Sequence, residues 1–194
     1  SKNFNMKCTH PFNELKGADK IAKYLWSPIK KSFKPIQRRM DIFYAGTNLV
    51  DNHSSKWVVN MGHLLGSFNN PFLGIEPTKK TVMLWYCEFY RVENNKITEG
   101  AFFLDILKFM QHLKLSVVPD STGMVGFNPG PKTHDGLYFE NQSEEEGNKT
   151  LNLMMRMANR LIGEGMRTTV SDLEKDWHED MIWWGPGGIG ASYT

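Results

Sequence analysis

The sequence predicts a single α+β domain with one hydrophobic core. The chain has 194 residues, hydrophobic residues make up 40% of it, and an aromatic β-type region in its middle lies between helical patterns on either side. A chain of roughly 100–200 residues usually forms one domain. The 12 Phe, 6 Trp and 6 Tyr residues supply enough apolar volume to fill its interior. We therefore expect residues 1–194 to share one core.

Composition and charge exclude several classes of protein. The formal net charge is +2, from 23 basic and 21 acidic residues, and neither sign forms a stripe that would follow a phosphate backbone. No nucleic-acid partner is expected. Cys8 and Cys87 lie far apart and outside any Cys-x-x-Cys motif, which argues against a disulfide framework or a thiolate zinc site and favours a reducing cytoplasm. No apolar run approaches the ~20 residues that span a bilayer, so no membrane partner is expected.

Two helices are predicted near the start of the chain. Apolar residues recur there at helical spacing, at Ala18, Ile21, Leu25, Ile29 and Phe33. Pro28 interrupts this pattern and suits the first position of a new helix. We therefore expect one helix over about 17–26 and a second over about 28–34, which ends at Pro35.

Extended chain follows these helices. Segments 39–45 and 57–65 are rich in aromatic and β-branched residues and are predicted strands. The basic pairs Lys30-Lys31 and Arg38-Arg39 are interpreted as a solvated helix face.

The clearest strand pattern is an antiparallel hairpin. Segments 82–92 and 97–104 are aromatic and β-branched, and Glu93-Asn94-Asn95 between them is typical of a turn. Side chains alternate along a strand, so one face of the first segment carries Leu84, Tyr86, Glu88 and Tyr90, and the other carries Met83, Trp85, Cys87 and Phe89. Glu88 is then an acid on an otherwise aromatic face.

Helices are also predicted in the second half of the chain. Asp105 is well placed to cap a short helix that follows it. Segment 115–142 is rich in Gly and Pro and is predicted to be irregular. Ser143 and Glu146 have the spacing of a capping box, and the longest helix should follow, with an apolar stripe at Leu151, Met154, Met155, Ala158, Leu161 and Ile162.

Four segments resemble the SnoaL-like polyketide cyclases of the nuclear-transport-factor-2-like (NTF2-like) superfamily. Residues 177–190, WHEDMIWWGPGGIG, are similar to the first strand of that family. Residues 15–33 with 37–41 look like its third helix and following strand. Segment 72–78 is similar to its "GIPPTG" motif, and 88–97 to its "FRVEDGKI" hairpin. The resemblance covers about three quarters of the chain and implies a curved antiparallel sheet whose helices complete a cone.

The order of these segments departs from the family. The helices and the Trp-Gly-Pro strand, which come first in the family, come last here. One explanation is a circularly permuted domain, with 10–114 as the third helix and main sheet, 115–142 as a connection and 143–194 as the first helices and strand. The other is the middle of a tandem protein whose halves complement each other, either within one chain or by exchange between two chains. A homodimer is also expected. We favour the compact permuted form.

The resemblance also implies a pocket and an acid. SnoaL-like cyclases hold an apolar ligand in the cone and use a carboxyl group as general acid or base, without a cofactor. Asp105 is the best match to that acid, although the His-Trp pair that accompanies it in the family is Gly100-Ala101 here. The alternative role of Asp105 is the helix cap.

Further candidates come from the residues themselves. Glu88 is either a pocket-facing acid with a perturbed pKa or a solvated residue, and His63 would form an acid/base pair with it if both faced one cavity. A structural role for His63 is the alternative. His178 has acidic neighbours only in sequence, so no metal site is expected. Candidate pocket residues, or ordinary core, are Tyr44, Met61, Trp85, Tyr86, Phe103, Trp183 and Trp184.

Two functions of different class are therefore expected. The first is a cofactor-independent cyclase or isomerase that acts on an apolar, polyketide-like ligand through Asp105 or Glu88. The second is a non-catalytic module that binds such a ligand or forms a dimer. An enzyme needs an acid and one further polar group that converge on an enclosed cavity, whereas a binding module does not.

Overall fold

A mixed sheet of six strands forms the centre of the molecule. The computed structural model describes residues 4–115, 117–119, 130–131, 133–190 and 192–193. The strands are β1 (Asn5–Cys8), β2 (Glu14–Lys16), β3 (Phe33–Thr47), β4 (Lys56–Phe68), β5 (Thr81–Glu93) and β6 (Lys96–Leu104), in the spatial order β2-β1-β6-β5-β4-β3. Together with the helices described below, this confirms the α+β class.

The family resemblance implied a purely antiparallel sheet, but the observed sheet is mixed. Strand β1 pairs parallel with β6, with Met6 opposite Gly100, while the other neighbours are antiparallel. This pairing joins segments about ninety residues apart. Strand β1 has only four residues, which is too short for an alternating pattern to be recognised in the sequence. The sequence therefore did not predict β1 or β2.

The first two predicted helices form one continuous helical segment. It comprises α1 (Ala18–Ile21), a π-helical turn (Ala22–Trp26) and α2 (Ser27–Ser32). Pro28 has no N–H to continue the regular hydrogen-bond ladder, and the π-helical turn directly precedes α2. Pro35 lies inside β3, an edge strand, where a missing N–H is tolerated. Segment 34–38, assigned in part to a helix from sequence, is therefore extended.

The β5–β6 hairpin confirms the predicted alternation and divides the sheet into two faces. The helix face carries Leu64, Leu84, Tyr86, Glu88 and Phe102, which are at most 3% exposed. The opposite face carries Met61, His63, Trp85, Cys87 and Phe103, and it is called the pocket face because it borders the pocket described below. Register pairs such as Asn60 with Glu88 and His63 with Trp85 keep each set on its own face.

The helix face holds the hydrophobic core. Ile21, Leu25 and Ile29 of the helical segment pack over Leu64, Leu84 and Phe102. A cluster of rings extends this core, with Phe33 at 5.1–5.6 Å from Phe68, Phe72 and Phe109 between centroids. These four rings are at most 2% exposed. The helix and the sheet are thereby joined by apolar burial.

The remaining elements are helices and short strands. They are α3 (Ile106–His112), α4 (Glu144–Glu164), α5 (Val170–Leu173), β7 (Trp183–Trp184) and β8 (Ser192–Tyr193), with 3-10 turns at Leu49–Asp51, Gly165–Arg167 and Gly187–Ile189. Helix α4 has 21 residues, and the Ser143 hydroxyl accepts a hydrogen bond from the Glu146 N–H, as predicted. No helix among the described residues is long and apolar enough to cross a membrane.

Helix α4 packs against the chain that follows it and not on the sheet. Met157 accepts a hydrogen bond from the Trp177 indole, and Arg156 pairs with Asp176 at 2.7 Å. No residue of α4 belongs to the core cluster formed by the described residues, and Ile162 is 81% exposed. Segment 184–189, called the tail below, instead contacts α3 and Asp105, which directly follows β6. A circular permutation thus remains a prediction.

Candidate functional site

An apolar pocket of about 690 Å³ opens beside the end of the hairpin. It lies on the pocket face, between β5–β6, α3, the turn after β1 and tail segment 184–189. Its lining is almost entirely apolar and comprises Thr9, His10, Pro11, Met61, Trp85, Tyr86, Cys87, Phe103, Leu104, Asp105, Ile106, Leu107, Met110, Trp184, Gly185, Pro186 and Ile189. Volume and lining are both typical of a small-molecule site.

Five of the seven predicted pocket residues lie in this lining. They are Met61, Trp85, Phe103, Trp184 and Tyr86, although the side chain of Tyr86 is buried on the helix face. Tyr44 is not among them and is 46% exposed on β3. Trp183 points away from the lining and stacks on Trp177 at 6.0 Å between centroids. Adjacent residues of an extended segment face opposite ways, which explains why only one of the two tryptophans lines the pocket.

Asp105 borders the pocket, but both oxygens of its carboxylate accept hydrogen bonds from backbone N–H groups. Oδ1 accepts a hydrogen bond from the Lys108 N–H at 2.9 Å and so caps α3. Oδ2 accepts one from the Gly188 N–H at 3.0 Å. The first bond is the helix cap that the sequence offered as the alternative role. The second ties the tail to the pocket, a role that the sequence did not suggest.

Gly188 allows the tail to approach α3 closely. The side-chain amide of Gln111 donates to the Gly188 carbonyl at 2.9 Å, which fixes the same residue from its other side. A Cβ at position 188 would collide with the Lys108 backbone nitrogen and the Asp105 carboxylate, whereas one at Gly187 would meet its nearest atom at 3.5 Å. The absence of a side chain at 188 is therefore required for this contact.

The hydroxyl of Thr9 and the thiol of Cys87 are further polar groups of the pocket, and neither carries a charge at neutral pH. The Thr9 hydroxyl accepts a hydrogen bond from the Leu104 N–H at 3.2 Å. Burial raises the pKa of the Cys87 thiol to about 11, so this sulfur is protonated at neutral pH and is a poor nucleophile. His10 is exposed at the rim. The pocket is suited to hold an apolar molecule.

The structure does not bring His63 and Glu88 together. His63 lies on the pocket face, where Nδ1 is 3.0 Å from Oδ2 of Asp41 and the ring is 6.2 Å from that of Trp85. Glu88 lies on the helix face. The sheet separates the two side chains, so they form no acid/base pair.

Glu88 is fully buried in a polar network on the helix face. Arg38 pairs with Oε2, and the Asn60 side-chain amide donates to the same oxygen at 3.3 Å. The Tyr86 hydroxyl links these groups, since it accepts from Arg38 Nε at 3.2 Å and lies 3.4 Å from Oδ1 of Asn60. Oε1 of Glu88 has no hydrogen-bond partner of ordinary geometry, although Tyr90 is close enough to influence the charge of the carboxyl.

The pKa values of both members of the Arg38–Glu88 pair are raised, for different reasons. Burial raises the pKa of Glu88 because the attraction of Arg38 and the nearby hydrogen bonds offset the lost hydration only in part. For Arg38, burial acts to lower the pKa, but its side chain is 39% exposed, and the attraction of Glu88 prevails. Arg38 therefore keeps its charge, and its attraction opposes the rise in the pKa of Glu88 that burial causes.

Arg38 was not predicted as a partner of Glu88. The sequence predicted that Arg38 and Arg39 lie on the solvated side of a helix, but both lie on β3, where Arg38 is paired with Leu64. The period of two at Ile36, Arg38 and Met40 is the signal that places Arg38 on the helix face.

No metal site is found in the described part of the chain. No group of three or more His, Cys, Asp or Glu side chains converges there. The side chain of His178 is 75% exposed, and its nearest acidic partner, Asp180, is also at the surface.

Comparisons with known proteins find similarity in structure. No family model and no curated protein matches the chain. Among solved structures, the chain is similar to a provisionally assigned SnoaL-like polyketide cyclase from Jannaschia sp. CCS1, with a TM-score of 0.49 and 18% identity over 61% of this chain and 74% of that one.

Two proteins from Streptomyces are also similar in structure. For AclR from Streptomyces galilaeus, provisionally assigned as a hydroxylase, the TM-score is 0.49 and the identity 18%, over 62% of this chain and 71% of that one. For IdmH from Streptomyces antibioticus, provisionally assigned as a polyketide cyclase, the values are 0.48 and 12%, over 59% and 81%. The structural neighbours thus include the family that the sequence resembles, and the activities named for them belong to those proteins.

Proposed function

We propose that this chain binds a small apolar molecule in the pocket between the hairpin, α3 and the tail. One observation supports this above the others: the pocket is large and apolar, and backbone N–H groups occupy the acid that borders it. Transfer of apolar ligand surface from water is worth roughly 25 cal/mol per Å². Binding therefore needs no charged group and no cofactor.

We propose a flat, polycyclic and polyketide-like molecule as the class of ligand. Trp85 on β5 and Trp184 in the tail both line the pocket, and Phe103 on β6 adds a third aromatic ring. Such rings offer stacking or edge contacts to a planar ligand in addition to apolar burial.

A matched pair of tryptophans tests this proposal. Titration with an anthraquinone or a steroid should quench tryptophan fluorescence and raise the melting temperature. Trp184→Ala should weaken binding at least about tenfold, because it removes part of the lining. Trp183→Ala removes the same side chain outside the lining and should leave binding unchanged. Equal loss in both variants would place the ligand elsewhere.

A second candidate function is proton transfer by Glu88. A buried carboxyl with a raised pKa is typical of general acids and bases, and Glu88 pairs with Arg38, which lines a small pocket of about 380 Å³. The measurement is deuterium exchange at the carbons next to the ketone of cyclohexanone, a probe with a single ring. Glu88→Gln should abolish exchange above background, and Glu93→Gln at the exposed end of β5 should not. Exchange at the wild-type rate in Glu88→Gln would exclude this role.

The homodimer also remains a proposal. Helix α4 exposes Met154, Met155 and Ile162, and its first turn carries Glu144, Glu145 and Glu146. The helical segment 18–32 carries Lys20, Lys23, Lys30 and Lys31, so a second copy offers a surface of opposite charge. Sedimentation should show a dimer that Met154→Glu/Ile162→Glu dissociates. A wild-type monomer at all concentrations would contradict it.

A further inference from the structure

A second, smaller pocket on the helix face contains two cations that the apolar pocket lacks. Its volume is about 380 Å³, and its lining comprises Trp26, Ile29, Lys30, Ile36, Arg38 and Leu64. Ile29 and Leu64 are buried, whereas Lys30 and Arg38 are exposed. Leu64 and Met61 point to opposite faces of β4, so the sheet separates this pocket from the apolar one. The two cavities are therefore distinct sites.

Arg38 is held in place at this pocket before any ligand arrives. Its guanidinium lies 4.9 Å from the centre of the Tyr86 ring and 5.8 Å from that of Trp26. Nε donates to the Tyr86 hydroxyl, and Nη2 pairs with Glu88. Of the five N–H donors of a guanidinium, those on Nη1 make no hydrogen bond of ordinary geometry to a described residue, although Tyr90 is close enough to interact with the guanidinium. A positioned donor thus remains for a ligand.

The local charge balance favours an anion. Glu88 at most neutralises Arg38, and it is fully buried beneath it. Lys30 forms no ion pair within the described part of the chain and adds a second positive charge at the rim. The pocket therefore has a net positive charge, next to the apolar side chains of Trp26 and Ile36. A ligand that matches it needs one anionic end and one apolar end.

We propose that this pocket is a second binding site, whose ligand is a small organic carboxylate with an apolar body. The planar carboxylate would accept hydrogen bonds from Nη1 of Arg38 and attract Lys30, since guanidinium groups match carboxylate geometry. Trp26, Ile36 and Leu64 would contact the apolar body. About 380 Å³ is sufficient for a single ring with its carboxylate.

Three probes of known chemistry test the charge and the apolar part separately. Benzoate, its neutral amide benzamide and inorganic phosphate are titrated by calorimetry at one ionic strength. Benzoate should bind at least about tenfold more tightly than either of the others, since a charge-assisted hydrogen bond is worth roughly 1.5–3 kcal/mol. Equal binding of benzamide would show that the charge is not recognised. Equal binding of phosphate would show that the apolar body is not recognised.

Matched variants locate the probe. Lys30→Gln should weaken benzoate about threefold, and Lys31→Gln, one residue further on the same helix and outside the lining, should not change it. The double variant Arg38→Gln/Glu88→Gln removes the guanidinium without leaving a buried charge and should weaken benzoate at least about tenfold. Loss of benzoate binding in Phe103→Ala, with binding retained in Lys30→Gln and the double variant, would assign the probe to the apolar pocket and overturn the proposal.

Discussion

The two faces of the sheet differ in what fills them. Phe102 and Phe103 are adjacent on β6, yet Phe102 is fully buried beneath the helix and Phe103 is 50% exposed at the apolar pocket. The helix face is packed and contains one buried acid paired with Arg38, whereas the pocket face leaves a cavity closed on one side by the tail. Stability should therefore depend mainly on the helix face, and ligand binding on the pocket face.

The largest expected effect separates the two phenylalanines. Phe102→Ala should lower the free energy of unfolding by about 3–5 kcal/mol, because it removes a buried ring and leaves a cavity. Phe103→Ala should lower it by about 1 kcal/mol or less, because the ring is half exposed. Urea denaturation of both variants measures the difference. Similar losses would contradict the division into a packed face and an open face.

Removal of Arg38 should have the next largest effect. Arg38→Ala leaves the Glu88 carboxyl buried without its cation, which costs roughly 3–5 kcal/mol for a fully buried pair. Because the Arg38 side chain is 39% exposed and water screens the pair, we expect about 2–3 kcal/mol in urea denaturation. The double variant Arg38→Ala/Glu88→Gln should recover most of this loss. A double variant no more stable than Arg38→Ala would show that Arg38 acts through packing alone.

A smaller effect should result from a methyl group where the tail meets α3. Gly188→Ala forces the tail away from Asp105 and should cost about 1–2 kcal/mol. It should also weaken a pocket ligand at least about fivefold, since Trp184 and Ile189 would lose their positions. Gly187→Ala is the control, because its Cβ meets only ordinary contacts. Thermal unfolding and fluorescence titration measure both effects, and unaltered ligand binding in Gly188→Ala would separate the tail from the pocket.

The smallest effect is a pH dependence that comes from Glu88. Its raised pKa means that the folded protein holds this proton at pH values where the unfolded chain has released it. The free energy of unfolding should therefore fall as pH rises from the ordinary pKa of glutamate, about 4.3, towards the folded value, by at most about 1.4 kcal/mol per pH unit.

The variant Glu88→Gln isolates this contribution. The neighbours Arg38, Tyr86 and Tyr90 keep their charge states between pH 4 and 8, so the difference between wild type and variant reports Glu88. Urea denaturation across this range should give a flatter profile for the variant. Parallel profiles would show that Glu88 titrates alike in the folded and unfolded chain.

The sequence predicted the hairpin and α3 more accurately than the ends of the chain. Alternation in 82–92 identified both faces of β5, and Asp105 was expected to cap the helix that follows it. Pro35 was taken as the end of a helix although it lies in an edge strand, so Arg38 was given to the wrong element. Four aromatic residues that the sequence singled out, and Met61, lie in the lining, whereas Ile189 and Met110 also lie there and carry no pattern that would have marked them.

The sequence by itself determined which side chains share a face of β5, because that depends only on the period of an extended chain. Only the tertiary structure decided that Glu88 meets Arg38, that Asp105 accepts the Gly188 N–H and that β1 lies beside β6. These contacts join residues 50, 83 and about 94 positions apart. Local patterns contain no information about such pairs, since their formation depends on how the packed elements bring distant segments together.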